Sequence, residues 1–392
     1  MGFGKYSTPY DWSRVAAFRV IASKYPGGAV DLSVGSPVDS VAQGVQDALT
    51  EAANARNAYG YPATVGTPEL RQSITDWYKR TRGVDLESID ADVVPSVGSK
   101  EAVALMASML HLHRGDVVVQ PRVSYPTYSI GTQLAGATVH YVDAVEDTQS
   151  WEGVRNVKAV WVNSPNNPSG KVLNEFQLHD IIVAARKIGA VVLSDECYAL
   201  LRWNPDLAAG MDSGSVDTLA DNAASSALRT GVCSGSAHGI LSLYSLSKQS
   251  NMAGYRTAFI AGDSELVKEM SAMRKQIGLI IPGPVQAAMT YALGDDESVV
   301  AQRRRYSMRL RALVDGLRTY GYADAAVPQG GLYIWVKALG DDCWDDMGQL
   351  ARLGIVPSPG EFYGDKGYLR FSVTASDEAV NRAAHRLREK TA

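Results

Sequence analysis

Residues 240–261 read ILSLYSLSKQSNMAGYRTAFIA, an apolar run, then hydroxyls around a lysine, then an arginine, then a second apolar run. The runs 240–245 and 258–261 have the near-continuous apolar character of strands buried on both faces. Similar short runs occupy 93–97, 116–120, 138–142, 159–163 and 190–194. Helical signals alternate with them. Thr67-Pro68 caps and opens a helix, with Leu70, Ile74, Trp77 and Tyr78 along one face before Gly83. Ser99 opens a second helix that runs through Ala102, Leu105, Met106 and Met109 toward Gly115, and places His111 and His113 in its last turn. Asn174, with Gln177 three residues on, opens a third that Gly189 closes. This alternation predicts an α/β sandwich around a mainly parallel sheet, with ligands at the carboxyl ends of the strands.

After about residue 285 the pattern changes to a long helix dense in arginine, from Arg303 to Arg311. Shorter strands near 331–336 and 368–373 and a terminal helix follow. The expected organisation is a large ligand-binding domain over 45–285 and a small α+β domain over 286–392. The N-terminal segment 1–44 joins the small domain and the rim of the site.

A chain of 392 residues exceeds what one hydrophobic core usually supports. The net charge of −4 and the lack of a basic block argue against nucleic acid as a partner. Cys197, Cys233 and Cys343 are scattered, without CxxC pairs or Cys/His ligand spacing, so neither a disulfide framework nor a metal site is expected. The N-terminus lacks a continuous apolar segment, and the apolar runs are far shorter than a membrane helix needs. A cytoplasmic enzyme is the expectation.

The polar residues that interrupt the strands fall at their carboxyl ends. Asn166-Asn167 follows the 159–163 run, Asp195 to Tyr198 follows 190–194, and Ser245, Ser247 and Lys248 follow 240–244, with Arg256 beyond. Gly98-Ser99-Lys100 stands between a strand and a helix N-terminus. A lysine partly desolvated behind a buried strand has a lowered pKa and can attack a carbonyl. Two serines, an arginine and a helix N-terminus suit a phosphate dianion. Asp195, closing an apolar strand, stays ionised only beside a cation such as a protonated pyridine nitrogen. Tyr198 and Asn167 can donate to an oxygen on the same ring, and Tyr125 offers an aromatic face. Taken singly, each residue has an ordinary reading as surface lysine, helix cap, ion pair or core tyrosine. Four polar clusters on one rim do not.

The spacing Asn167…Asp195-x-x-Tyr198…Ser245-x-Ser247-Lys248…Arg256 resembles fold-type I pyridoxal 5′-phosphate (PLP) aminotransferases of the aspartate aminotransferase superfamily, over nearly the whole chain. The resemblance implies that Lys248 forms the Schiff base with PLP and shuttles the proton. It implies Asp195 on the pyridine nitrogen, and Tyr198 and Asn167 on the ring oxygen. Ser99, Lys100, Ser245, Ser247 and Arg256 would hold the phosphate, with Tyr125 stacked on the ring. Arg370, in Gly367 to Ser372, and Gly35, in Leu32 to Pro37, look like the residues that meet the substrate α-carboxylate. Tyr61, in Tyr59-Gly60-Tyr61-Pro62, looks like the tyrosine that reaches a neighbouring subunit's phosphate, which implies a homodimer with shared active sites.

Within that superfamily, Val30–Asp39, Tyr61–Thr67, Ser245–Ser250 and Pro282–Met289 resemble actinobacterial N-succinyl-diaminopimelate aminotransferases. These exchange an amino group between glutamate and N-succinyl-2-amino-6-ketopimelate in lysine and cell-wall precursor synthesis. Arg274, Lys275 or Arg19 would then read a distal carboxylate. The alternatives are an aspartate or other amino-acid aminotransferase, a C–S β-lyase on the same cofactor, and a non-catalytic PLP-binding effector domain, which lacks room for its DNA-binding region. The stretch 205–239 and the run Arg303-Arg304-Arg305 read as solvated surface.

Overall fold

In a computed structural model, which describes residues 6, 8, 10–56, 58–203 and 218–389, the seven apolar runs become one sheet. The strands in chain order are β1 (Val30–Asp31), β2 (Ala91–Val97), β3 (Val117–Pro121), β4 (Thr138–Val142), β5 (Val157–Asn163), β6 (Val191–Asp195), β7 (Ile240–Ser245), β8 (Thr257–Asp263), β9 (Tyr333–Lys337), β10 (Ile355–Val356), β11 (Ser358–Pro359) and β12 (Tyr368–Ser372). The large sheet has the order β2-β8-β7-β6-β5-β3-β4. Its strands run parallel except β8, which is antiparallel to both of its neighbours. The link from β7 to β8 carries only two short helical turns, too little chain for a covering crossover helix, so the chain turns back.

Successive side chains of β5 enter different cores. Val160 and Val162 pack in one apolar cluster, Ala159 and Trp161 in another. This double burial is why the runs are nearly continuous rather than alternating. Thr67 Oγ1 accepts the N–H of Leu70 at 3.2 Å and starts the helix Pro68–Trp77. Asn174 and Gln177 form a reciprocal capping box, at 2.9 and 3.0 Å, on the helix Glu175–Lys187.

The remaining strands form an antiparallel sheet, β11-β12-β9, and a parallel pair, β1-β10. Val15, Ala22, Val30 and Leu32 share one core with Leu310, Leu313, Val336 and Phe371. Among the described residues, no helix is long and apolar enough to cross a membrane.

Three surface expectations change. The second helix stops at Met109, so His111 and His113 lie beyond it, and His111 adopts the left-handed conformation that turns the chain away. Arg303 is buried rather than solvated. Its guanidinium donates to the carbonyls of Leu200 and Arg202, lies 5.4 Å from the Trp203 ring, and is brought by burial down to about 10. Arg304 and Arg305 are exposed, as expected. Of the stretch 205–239, residues 205–217 lie outside the described residues. Ala224, Ser226, Ala227, Leu228, Val232, Cys233 and Ala237 in the remainder are buried. Ser226 and Ala227 go inside because the buried carboxylate of Glu196 takes their Oγ and N–H, at 3.1 and 2.9 Å.

Candidate active site

A cavity of about 230 Å³ opens at the carboxyl ends of β5, β6 and β7. Gly35, Ser99, Lys100, Tyr125, Asn167, Asp195, Tyr198, Ser245, Ser247, Lys248, Arg256 and Arg370 all line it. The reversal of β8 matters here, because it brings the start of that strand, and Arg256 just before it, to the rim where its neighbours end. Tyr61 is not among the lining residues; its side chain is fully exposed.

One corner has the chemistry to take a dianion. Ser245 Oγ stands 2.8 Å from Ser247 Oγ and donates to the Thr257 carbonyl at 3.1 Å. The helix Ser99–Met109 points its N-terminus into the cavity, with free backbone N–H groups and the positive end of its dipole. Gly98 sits at φ +76°, and any side chain there would overlap the Arg256 guanidinium. Glycine at this place lets the arginine lie against the helix start.

Deeper in, Asp195 is 6% exposed. Its carboxylate accepts from the Tyr128 hydroxyl at 2.7 Å and from the Cys197 N–H at 3.2 Å. No cation is among these partners, and burial pushes the carboxyl above its usual range. Tyr128, stacked on Trp161 at 4.5 Å, was not foreseen. Lys248 Nζ donates to the Gly35 carbonyl, and burial lowers its pKa. Such a lowering favours the neutral amine that nucleophilic attack and proton transfer require.

The third corner has the chemistry to take a carboxylate. Arg370, 3% exposed on β12, donates to Asn167 Oδ1 at 2.9 Å and to the Ser33 carbonyl at 2.8 Å. Its Nε is buried without a partner. The rings of Tyr333 and Tyr363 lie 3.9 and 4.4 Å from its Cζ. Tyr10, Trp12, Val34, Asn163 and Cys197 complete the walls. Asn163 stood legibly at a strand end; Tyr10, Trp12, Tyr333 and Tyr363 carried no local signal.

The three residues nominated for a distal carboxylate do not line the cavity. Arg274 is fully buried and paired with Glu101 at 2.9 Å, and Arg19 is bound to Asp31 and Ser33 at 2.8 and 3.1 Å. Lys275 is exposed on the helix Ser264–Gln276. Lys100 remains at the mouth, with Nζ 5.8 Å from the Tyr10 ring.

The donor set fits pyridoxal phosphate at each of its functional groups. A buried carboxylate lacking a cation suits the ring nitrogen, the serine, arginine and helix corner suits the phosphate, and a desolvated amine suits the aldehyde.

Residues 28–387 match the family model for aminotransferase class I and II. The chain is 40% identical over 380 residues to the 4-dedimethylamino-4-oxo-anhydrotetracycline transaminase of Streptomyces rimosus, covering 96% of this chain and 98% of that protein. It is equally, 40%, identical to a probable aminotransferase of Mycobacterium tuberculosis, covering 96% of this chain and 84% of the relative. Among solved structures, the probable N-succinyldiaminopimelate aminotransferase of Thermus thermophilus superposes with a TM-score of 0.81 at 25% identity, over 96% of this chain and 99% of the other.

Proposed function

The chain belongs to the class I and II aminotransferases, a family that depends on PLP, and on that premise we propose that it moves an amino group between glutamate and N-succinyl-2-amino-6-ketopimelate. One observation carries the catalytic reading: a desolvated lysine, a buried carboxylate without a cation and a buried arginine with an open donor converge on one cavity. When bound, the cofactor supplies a carbonyl carbon and an electron-withdrawing protonated ring.

The chain's residues do the rest. Arg370 grips the substrate α-carboxylate as a planar fork, beside the Gly35 loop. Lys248 Nζ, buried and lowered in pKa, takes the Cα proton as a general base and returns it as a general acid. Asp195 presents its charge to the ring nitrogen. Tyr198 and Asn167 donate to the ring oxygen, and Tyr125 presents its face. Ser99, Ser245, Ser247 and Arg256 hold the phosphate, with Lys100 contributing through its backbone N–H.

The succinylated acceptor is supported by the likeness to the Thermus thermophilus protein and by Lys100, which has no ion-pair partner among the described residues. The aromatic mouth of Tyr10 and Trp12 favours a second reading, an acceptor of the kind that the Streptomyces rimosus relative's name gives for that protein, a 4-oxo-anhydrotetracycline. Tyr61, fully exposed beside exposed Tyr59 and half-exposed Val65, supports a homodimer in which it reaches the partner's phosphate. Three buried, unpaired cysteines support a reducing, cytoplasmic setting. We read residues 45–285 as the cofactor-binding domain and 286–392, joined by 1–44, as the small one; the core shared by Val15, Val30 and Leu313 supports that grouping.

The test is glutamate alone, added to protein loaded with PLP. Conversion to the pyridoxamine form, seen by absorbance, is expected, whereas pyruvate and ammonia from cystathionine would point to a β-lyase instead. Acceptors compared by kcat/KM then decide the substrate, and the pathway reading fails if the succinylated pimelate is no better than oxaloacetate.

A further inference from the structure

Tyr333 stands where the substrate half and the cofactor half of the site meet. It opens β9, is 3% exposed, and lines the cavity. Its ring lies under the Arg370 guanidinium, 3.9 Å from Cζ to the centroid. Its hydroxyl is 3.0 Å from the hydroxyl of Tyr198. The same hydroxyl occupies the space beside Gly35, where any Cβ would overlap it, and the Gly35 carbonyl accepts from Lys248. A tyrosine needed only for packing would not touch three functional groups at once.

We propose that Tyr333 is a positioning residue that couples the two halves, its ring setting the orientation of Arg370 while its hydroxyl donates to Tyr198 and so leaves the Tyr198 proton free for the cofactor's ring oxygen. This rests on the aminotransferase reading above. Arg370 is tied at two guanidinium nitrogens, and the aromatic face is what fixes its plane, as a cation over a ring in a dry site does. In the hydroxyl pair only one phenol can donate to the other. Burial alone would raise Tyr333, but the neighbouring Arg370 and Lys248 charges hold its phenol below the usual value. Tyr198 is pushed up by burial and by Tyr333 itself. With the single Tyr198 proton given to the ring oxygen, the proton between the two hydroxyls is the one on Tyr333, which points to Tyr198.

Two variants separate the two tasks. Tyr333→Phe keeps the ring and removes the donor; Tyr333→Leu removes both. Folding is checked by melting, and the absorbance of the bound PLP is titrated against pH before any assay. Tyr333→Phe is expected to move the titration midpoint by about half a pH unit or more while KM for glutamate stays within about twofold. Tyr333→Leu is expected to raise that KM roughly tenfold. The double variant Tyr198→Phe/Tyr333→Phe should move the midpoint no further than Tyr198→Phe alone. An unmoved midpoint in Tyr333→Phe, or additive shifts in the double variant, overturns the coupling and leaves the aminotransferase reading standing. Unmodified protein that fails to take up PLP overturns both.

Discussion

Asp195 and Glu196 are consecutive acidic residues at the end of β6, 6% and 1% exposed, and they meet opposite surroundings. Strand alternation sends them to opposite faces of the sheet. Behind the sheet, Glu196 Oε2 lies 2.8 Å from Arg82 Nη2, and Oε1 accepts from Ser194, Ser226 and the Ala227 N–H. Arg82 in turn donates to the Ala224 carbonyl at 3.0 Å and lies 5.9 Å from the Trp77 ring. In front, Asp195 has a phenol and an N–H and, among the described residues, no cation. The protein supplies a counter-charge where a buried acid is structural. Where it withholds one, the function proposed above assigns the carboxylate to a cation that arrives with the ligand.

The sharpest way to break this contrast is Arg82→Met. Leaving Glu196 buried and unpaired is expected to cost about 3–5 kcal/mol of stability by denaturant unfolding, with turnover per folded molecule nearly unchanged. If stability stays and turnover collapses, the back of the strand is not merely structural. Asp195→Asn should do the reverse, lowering kcat about 10²–10³-fold with no loss of stability in the cofactor-free protein. An active Asp195→Asn enzyme would mean that the ring nitrogen finds its charge elsewhere.

The smallest effect sharpens the comparison through pH. The native carboxyl of Asp195 lies above its unfolded value of 3.8, so the unfolded chain gives up this proton first. Between 3.8 and the raised native value, the cofactor-free protein therefore loses stability as pH rises, by up to about 1.4 kcal/mol per pH unit. Unfolding curves of Asp195→Asn against pH should lack that slope. Equal slopes in the two proteins would show that Asp195 does not carry it.

Much of this was legible along the chain. All seven large-sheet strands start and end within two residues of their apolar runs because both faces are buried and turns of polar residues and glycine interrupt them. The caps Thr67 and Asn174 act through neighbours three residues away, a range the sequence displays directly. Arg303 was misread because three adjacent arginines on a helix do not announce which one faces inward. Ser226 and Ala227 were misread because small Ala and Ser side chains look solvated until a buried acid such as Glu196 demands their hydroxyls and N–H groups, whereas Arg229, Thr230, Gly231, Ser234 and Gly235 are exposed as expected. The distal-carboxylate candidates failed for a similar reason, since Arg274 and Arg19 find acids that stand far from them in the chain.

Sequence by itself determined which strand ends carry Asn167, Asp195 and Lys248, because a parallel sheet collects the carboxyl ends of successive strands on one rim whatever the loops do. Tertiary structure alone decided that β8 runs backward and delivers Arg256 to that rim, and that Tyr128 rather than a cation meets Asp195. It also decided that Tyr333, 135 positions after Tyr198, touches both Tyr198 and Arg370. Such contacts are set by how whole elements dock, and two side chains brought together across that much chain leave no periodicity, cap or spacing for a reader of the sequence to find.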